Sequence, residues 1–181
     1  NKKYIYLKNY KITNPKIVYS NLDKILFVAH PDDETVFFFN EISKDLGWLV
    51  VCITNGDNEI RLKEFISSMK ELKCQYKIWD FEDWLYSLWN RKKINRKIKK
   101  IIEKKEWKRI LTHNSEGEYG HNQHKELHSL IKEICLKYKI ETPCKNNDLE
   151  NKENLLKKYI KAKKINHMKK IYNSQEGILK Y

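Results

Sequence analysis

An apolar run, Ile25-Leu26-Phe27-Val28, leads directly into Ala29-His30-Pro31-Asp32-Asp33-Glu34, and residues 35–46 then place apolar side chains at helical spacing. The run reads as a buried strand and the spacing as a helix, so one histidine and three acids fall where a strand ends and a helix begins. In open α/β sheets, ligands bind at the carboxyl ends of the strands. His30 and Asp33 are common zinc-ligand types, and Asp32 between them is a free carboxylate. Pro31 fixes one φ angle and stiffens the turn that presents them. Acids at a helix start are also good caps, favoured by the positive end of the helix dipole. Capping alone leaves the strand-end histidine, followed by proline and two aspartates, unexplained.

The rest of the chain repeats the alternation of strand and helix. Gly47 closes the first helix, and residues 48–54 form a second uninterrupted apolar strand, rich in β-branched residues. Continuous apolar strands between helices imply a parallel sheet covered on both faces. The pattern predicts a helix over 59–73, a strand over 76–79, a basic helix over 91–108 and a strand over 109–112 that ends at His113-Asn114. A helix over 121–139, a last strand over 140–144 and a polar helix over 147–164 follow. Residues 1–23 read as a polar, Tyr-rich lead-in with a short extended piece at 16–19, and the aromatic, acidic stretch 81–89 has no clear periodicity. The length of 181 residues, without repeats or a linker, suits one domain over 1–181, with a core over about 24–145 and a C-terminal helical segment and tail over 146–181.

The apolar fraction of 40% places the chain among globular rather than disordered sequences. A net charge of +13 suits anionic partners such as phosphorylated sugars, acidic glycans, nucleic acid or a membrane surface. The excess is mostly Lys, alongside frequent Asn and Ile, a bias that AT-rich coding produces without any functional cause. A nucleic-acid-binding module built on the basic helix is the competing reading. Its lysines surround an Ile-faced stripe without interleaved aromatics, so nucleic acid is not an expected partner. Cys52, Cys74, Cys135 and Cys144 lack CxxC spacing, and the chain reads as reduced and cytoplasmic. No apolar run approaches the ~20 residues of a membrane span, and the N-terminus lacks a signal-peptide core. The chain starts at Asn1, which leaves room for a leader or anchor upstream.

A second chemical stretch, Gly120-His121-Asn122-Gln123-His124, also lies between a strand end and a helix start. It can therefore meet the first stretch on the same rim of the sheet. Residues three or four apart share a helix face, so His121, His124 and His128 point the same way. The expected site has His30, Asp33 and one histidine of the second stretch as ligands, with an open position for water, as in catalytic zinc sites. Bound zinc lowers the pKa of water toward ~7. Asp32 is then placed to act as general base, and a remaining protonated histidine could stabilise an oxyanion and protonate a departing amine. Together these describe hydrolysis of an amide or ester.

These residues resemble the PIG-L/LmbE-like family of zinc-dependent de-N-acetylases, which carries a His-Pro-Asp-Asp-Glu motif, here residues 30–34, and a later Gly-His-x-x-His motif, here residues 120–124. The resemblance spans about 24–175. It implies a Rossmann-like three-layer α/β sandwich with a mostly parallel central sheet. It also implies one Zn2+ per chain on His30, Asp33 and His124, with Asp32 as general base. His121 would stabilise or protonate the tetrahedral intermediate, and Arg61 would face the substrate. The implied reaction removes acetyl from an N-acetylglucosamine unit attached to a lipid, an inositol, another sugar or an antibiotic core.

Asn122 and Gln123 replace the Pro-Asp often found inside the second motif, which alters the support of a histidine. His113 and His128 are extra candidate ligands, and the same donor set could take another divalent metal. The short chain implies an open cleft, suited to an anionic or polymeric N-acetylated sugar. Rim loops offer Asn55 and Asp57 after the second strand, and Asn114, Glu116, Glu118 and Tyr119 after the fourth. Ordinary turn chemistry accounts for several of these. As substrate contacts we carry forward Asn55, Asp57, Glu118 and Tyr119. A catalytically inactive sugar-binding relative is disfavoured because every expected catalytic residue is present. No sequence feature sets the oligomeric state.

Overall fold

The computed structural model describes residues 13–83 and 89–143. The expected helix over 147–164, the tail with Ser174-Gln175, Cys144 and most of the lead-in lie outside the described residues. The elements run β1 (Lys24–Val28), α1 (Asp33–Val36), α2 (Phe39–Ile42), β2 (Trp48–Thr54), α3 (Glu59–Glu71), β3 (Gln75–Phe81), α4 (Arg91–Ile102), β4 (Arg109–Leu111), α5 (Gly117–Gly120), α6 (Asn122–Ile134) and β5 (Ile140–Glu141). The strands form one five-stranded sheet in the order β3-β2-β1-β4-β5. Every pairing is parallel, with Leu26 opposite Val50 on one side and Leu111 on the other.

Alternation along β1 explains the three layers. Ile25, Phe27 and Ala29 join the core formed with Ile94 and Ile98 of α4 and Leu127 and Leu130 of α6. Leu26 and Val28 join the opposite core, with Phe38, Leu62, Phe65 and Met69. Both faces of β1 and β2 are buried, which is why their sequences are apolar without interruption. The chain moves outward from β1 to β2 and β3, then crosses back to place β4 on the far side of β1. Loops leaving β1 and β4 therefore diverge, and a crevice opens at their carboxyl ends.

Several elements differ from expectation. The helix over 35–46 is instead two short helices, α1 and α2, joined through Phe37 and Phe38. Three consecutive buried phenylalanines, Phe37 to Phe39, cannot all face inward from one continuous helix, and the break lets both Phe37 and Phe38 pack edge-on against His113. The extended piece at 16–19 gives way to a single 3-10 turn, Tyr19–Asn21. Gly47, at φ +90°, makes the tight entry to β2, where an added Cβ would lie 2.7 Å from Asp23 Oδ1. α4 ends at Ile102 rather than near residue 108, and Trp107 folds back to donate to the Ile102 carbonyl. Its isoleucine stripe is buried, while Lys92, Lys93, Arg96, Lys99 and Lys100 are exposed. Among the described residues, no helix is long and apolar enough to cross a membrane.

Candidate active site

The end of β1 is fastened before the chemistry begins. The Ala29 carbonyl accepts from Thr54 N at 3.1 Å and Thr54 Oγ1 at 2.8 Å. The Ala29 amide donates to His113 Nε2 at 3.1 Å, which joins the ends of β1 and β4. The chain then turns sharply, with Asp32 at φ 107°. A non-glycine residue rarely adopts that backbone, and such strain collects at functional sites. Buried Glu34 holds the turn: Oε2 accepts from Asp32 N at 3.0 Å, and Oε1 accepts from Thr35 Oγ1 at 2.8 Å and Ser68 Oγ of α3 at 3.0 Å. The last acid of the first motif is thus an internal brace.

Three atoms from the two motifs converge. His30 Nδ1 lies 3.3 Å from Asp33 Oδ2 and 3.3 Å from His124 Nε2, and His124 Nε2 lies 3.4 Å from Asp33 Oδ2. All three residues are buried. A tetrahedral zinc with bonds of about 2.0–2.1 Å has ligand–ligand edges of about 3.3–3.4 Å. The outward nitrogens explain why the inward ones are free to bind a cation. His30 Nε2 donates to Gln123 Oε1 at 2.6 Å, and Asp83 Oδ1 lies 3.3 Å from the same nitrogen. His124 Nδ1 donates to Glu118 Oε2 at 2.6 Å. These partners fix the tautomers and turn two lone pairs toward a carboxylate oxygen. The donor set, two imidazoles and one carboxylate, fits a divalent metal with nitrogen and oxygen preference.

Two overlapping donor groups emerge: His30, His121 and His124, and Asp33, His113 and His124. His113 stacks on His124 with ring centroids 3.7 Å apart, and its Nε2 is 3.2 Å from Asp33 Oδ2. His128 instead turns its Nδ1 to the His113 carbonyl at 2.7 Å, so it ties α6 to β4 and belongs to neither group.

Asp32 stands beside the triangle. Arg61, in the first turn of α3, donates to Asp32 Oδ2 at 2.8 Å, to Glu64 Oε2 at 3.0 Å and to the Pro31 carbonyl. Burial pushes the Asp32 carboxyl up; Arg61 pulls against that rise and the Asp33 charge adds to it. Burial also opposes the charge of Asp33, yet His124, His113 and His30 hold it well below the ordinary carboxylate range. His30 is raised despite burial, because Asp33 and Asp83 stabilise its cation.

The other expected residues are distributed unevenly. His121 caps α6, with Nδ1 accepting from Gln123 N at 3.3 Å, and its ring lies edge-on to His30 at 4.8 Å. Burial, followed by repulsion from His30 and His124, drives His121 down to about 4, so the ring is neutral near pH 7 rather than protonated. Tyr119 is partly exposed, stacks on Phe37 at 6.3 Å and meets His121 and His124 edge-on. Asn55 donates to Asp83 Oδ2 at 2.8 Å and to Thr54 Oγ1 at 2.9 Å. Asp57 is half-buried in the turn after β2, and no contact of the described residues ties it to the cluster. Glu118 is turned inward onto His113 and His124.

Asp83 and Gln123 are the residues that sequence reasoning left without a role. Asp83 follows the carboxyl end of β3, so its rim position was a usable signal. Burial works against its charge, but its hydrogen bond to His30 brings it down to about 2. Gln123, in the middle of the second motif, supplies the support expected to be lost there, and also donates to the Glu82 carbonyl at 2.8 Å.

The chain is similar to several known proteins. The family model described as PIG-L, GlcNAc-PI de-N-acetylase, matches residues 25–135. An uncharacterized protein of Acanthamoeba polyphaga mimivirus is 37% identical over 175 residues, covering 87% of this chain and 74% of its own. The N-acetylglucosaminyl-phosphatidylinositol de-N-acetylase of Saccharomyces cerevisiae is 26% identical over 139 residues, covering 66% of this chain and 46% of its own. This chain therefore spans about half the length of that yeast relative. In three dimensions it is similar to N,N'-diacetylchitobiose deacetylase from Pyrococcus horikoshii, with a TM-score of 0.61 and 17% identity, covering 89% of this chain and 77% of that one. At that identity the likeness concerns the fold alone, an LmbE-like sandwich around a parallel sheet.

Proposed function

Because this chain belongs to the PIG-L family, we propose that it is a metal-dependent hydrolase that removes the acetyl group from an N-acetylated amino sugar. The observation that carries this reading is the near-equilateral triangle of His30 Nδ1, Asp33 Oδ2 and His124 Nε2 beside a carboxylate, Asp32, that is outside it. Zinc held by those three atoms would polarise the amide carbonyl and bring a water's pKa to about 7.

The remaining work falls to the chain's own groups. Asp32 takes the proton of the attacking water, and its elevated affinity for protons suits a general base. Arg61 holds that carboxylate in place through Oδ2. His121 Nδ1 accepts from the Gln123 amide, so Nε2 carries the ring proton and can hold a hydrogen bond to the developing oxyanion with the ring uncharged, while the proton taken by Asp32 passes to the departing amine. Tyr119, backed by Phe37, offers an aromatic face of the kind sugars stack on. Asn55 and Asp57 extend the rim after β2. The substrate class follows the family: N-acetylglucosamine on a lipid, an inositol or another sugar, anionic or polymeric forms included. Cys52, Cys74 and Cys135 are free thiols, which suits a reducing setting such as the cytoplasm.

Metal analysis of the purified protein, followed by an assay for free amine released from N-acetylglucosamine conjugates, tests this reading. The expected result is about one zinc per chain, lost in Asp33→Ala and His124→Ala. Asp32→Ala should keep the metal and lose about 10²–10⁴ in rate. A protein that takes up no metal even when zinc is supplied would overturn it.

A further inference from the structure

The loop before the second motif has an unusual centre. Glu118 sits at φ 59°, ψ −62°, within α5 but outside any helical conformation. A bulky residue in this γ-turn region is strained, and surrounding contacts must hold it there. They do so through both ends of the residue. The Glu118 amide donates to Asn114 Oδ1 at 3.0 Å, and Oε1 accepts from Asn114 N at 2.8 Å. Oε2 accepts from two imidazoles at once: His124 Nδ1 at 2.6 Å and His113 Nδ1 at 3.0 Å. The carboxylate is buried, with 2% of its side chain exposed.

A carboxylate can only accept, so each ring must present an Nδ1–H to it. In the neutral ring each Nε2 then carries a lone pair. That of His124 points into the triangle, 3.3 Å from His30 Nδ1. That of His113 accepts the Ala29 amide at 3.1 Å, one residue before His30. The two rings are stacked at 3.7 Å and 15°, so neither can turn without displacing the other. The two ligand histidines are thus supported differently: His30 by the neutral amide of Gln123, with Asp83 near, and His124 by a fully buried carboxylate.

The geometry points to Glu118 as the positioning residue that sets the tautomer and orientation of His124 and His113 together, and through His113 fixes the end of β1 that carries His30. It is therefore not a rim contact for substrate. The consequence for metal affinity rests on the proposed metal site; the tautomer assignment does not.

The test pairs two measurements on the full chain, wild type and Glu118→Gln. Nitrogen-15 NMR of the imidazoles, read on the metal-free protein, should show a proton on Nδ1 of both His113 and His124. In Glu118→Gln the one remaining oxygen stays with the Asn114 amide, which can only donate, and the new NH2 faces the rings, so at least one ring should lose its Nδ1 proton. Zinc affinity, measured by competition with a chelator, should fall about 10–100-fold, the usual effect of losing such a support. Far-UV circular dichroism of the variant should be unchanged. Wild-type rings without a proton on Nδ1, or zinc binding by the variant as tight as wild type, would overturn the assignment. Wild-type protein with the expected tautomers but no zinc binding would support the positioning role and overturn the metal reading.

Discussion

The guanidinium of Arg61 reaches three acceptors, on Pro31, Asp32 and Glu64, from the first turn of α3. Nη1 serves Glu64 while Nη2 serves Pro31 and Asp32, and the single nitrogen of a lysine cannot stand in both places, so Arg61→Lys is not conservative here. We expect Arg61→Lys to retain metal while losing about tenfold to a hundredfold in turnover, since a catalytic group misplaced by about 1 Å loses that much. Steady-state kinetics beside metal content checks this; loss of metal instead would show that Arg61 supports Asp33 rather than Asp32. At this scale, much of the site was legible. His30, Asp33 and His124 were readable because each sits at a strand-to-helix junction whose residue types are unusual for plain capping. Gln123, Asp83 and the internal role of Glu34 were not, because their partners His30 and Ser68 lie up to 93 residues away in sequence; Glu118 was not, because the irregular turn that aims it inward onto His113 and His124 has no period.

The helices divide the work between core and site. α4 buries Ile94, Ile98, Ile101 and Ile102 against the sheet, and Arg91 at its start reaches Glu126 and Glu133 of α6 at 2.6 and 2.7 Å. Fully buried Ile98 belongs to the same core as Leu127, which follows His124 by one turn. Ile98→Ala should cost about 2–5 kcal/mol, and for a chain of this size each kcal/mol lowers the thermal midpoint by roughly 2–4 °C. Differential scanning calorimetry measures it, and a shift under one degree would mean the site collapses around the smaller side chain. The isoleucine period made α4 legible. The same kind of pattern misled at 35–46, where apolar spacing suggested one helix. Tertiary packing of Phe37 and Phe38 on His113 broke it into two.

Across the whole molecule, the charge of +13 is concentrated partly on the solvent face of α4, on the face of the sheet opposite α3. Replacing Lys92, Lys99 and Lys100 with Gln should change stability by no more than about 0.5 kcal/mol per site, as surface changes usually do. It should also leave turnover of a small neutral acetyl sugar unaltered. A fall in that turnover, or tight duplex binding that weakens steeply with salt and vanishes in the triple variant, would revive the nucleic-acid reading. The sequence alone determined the layer order, the parallel sheet and the two motifs, because strand and helix periods and junction chemistry are local properties of the chain. Tertiary structure alone decided which buried group supports His30 and how burial, with His30 and His124 near, lowers the pKa of His121. Those depend on atoms brought together by the crossover that puts β4 beside β1, and no local pattern encodes that distance.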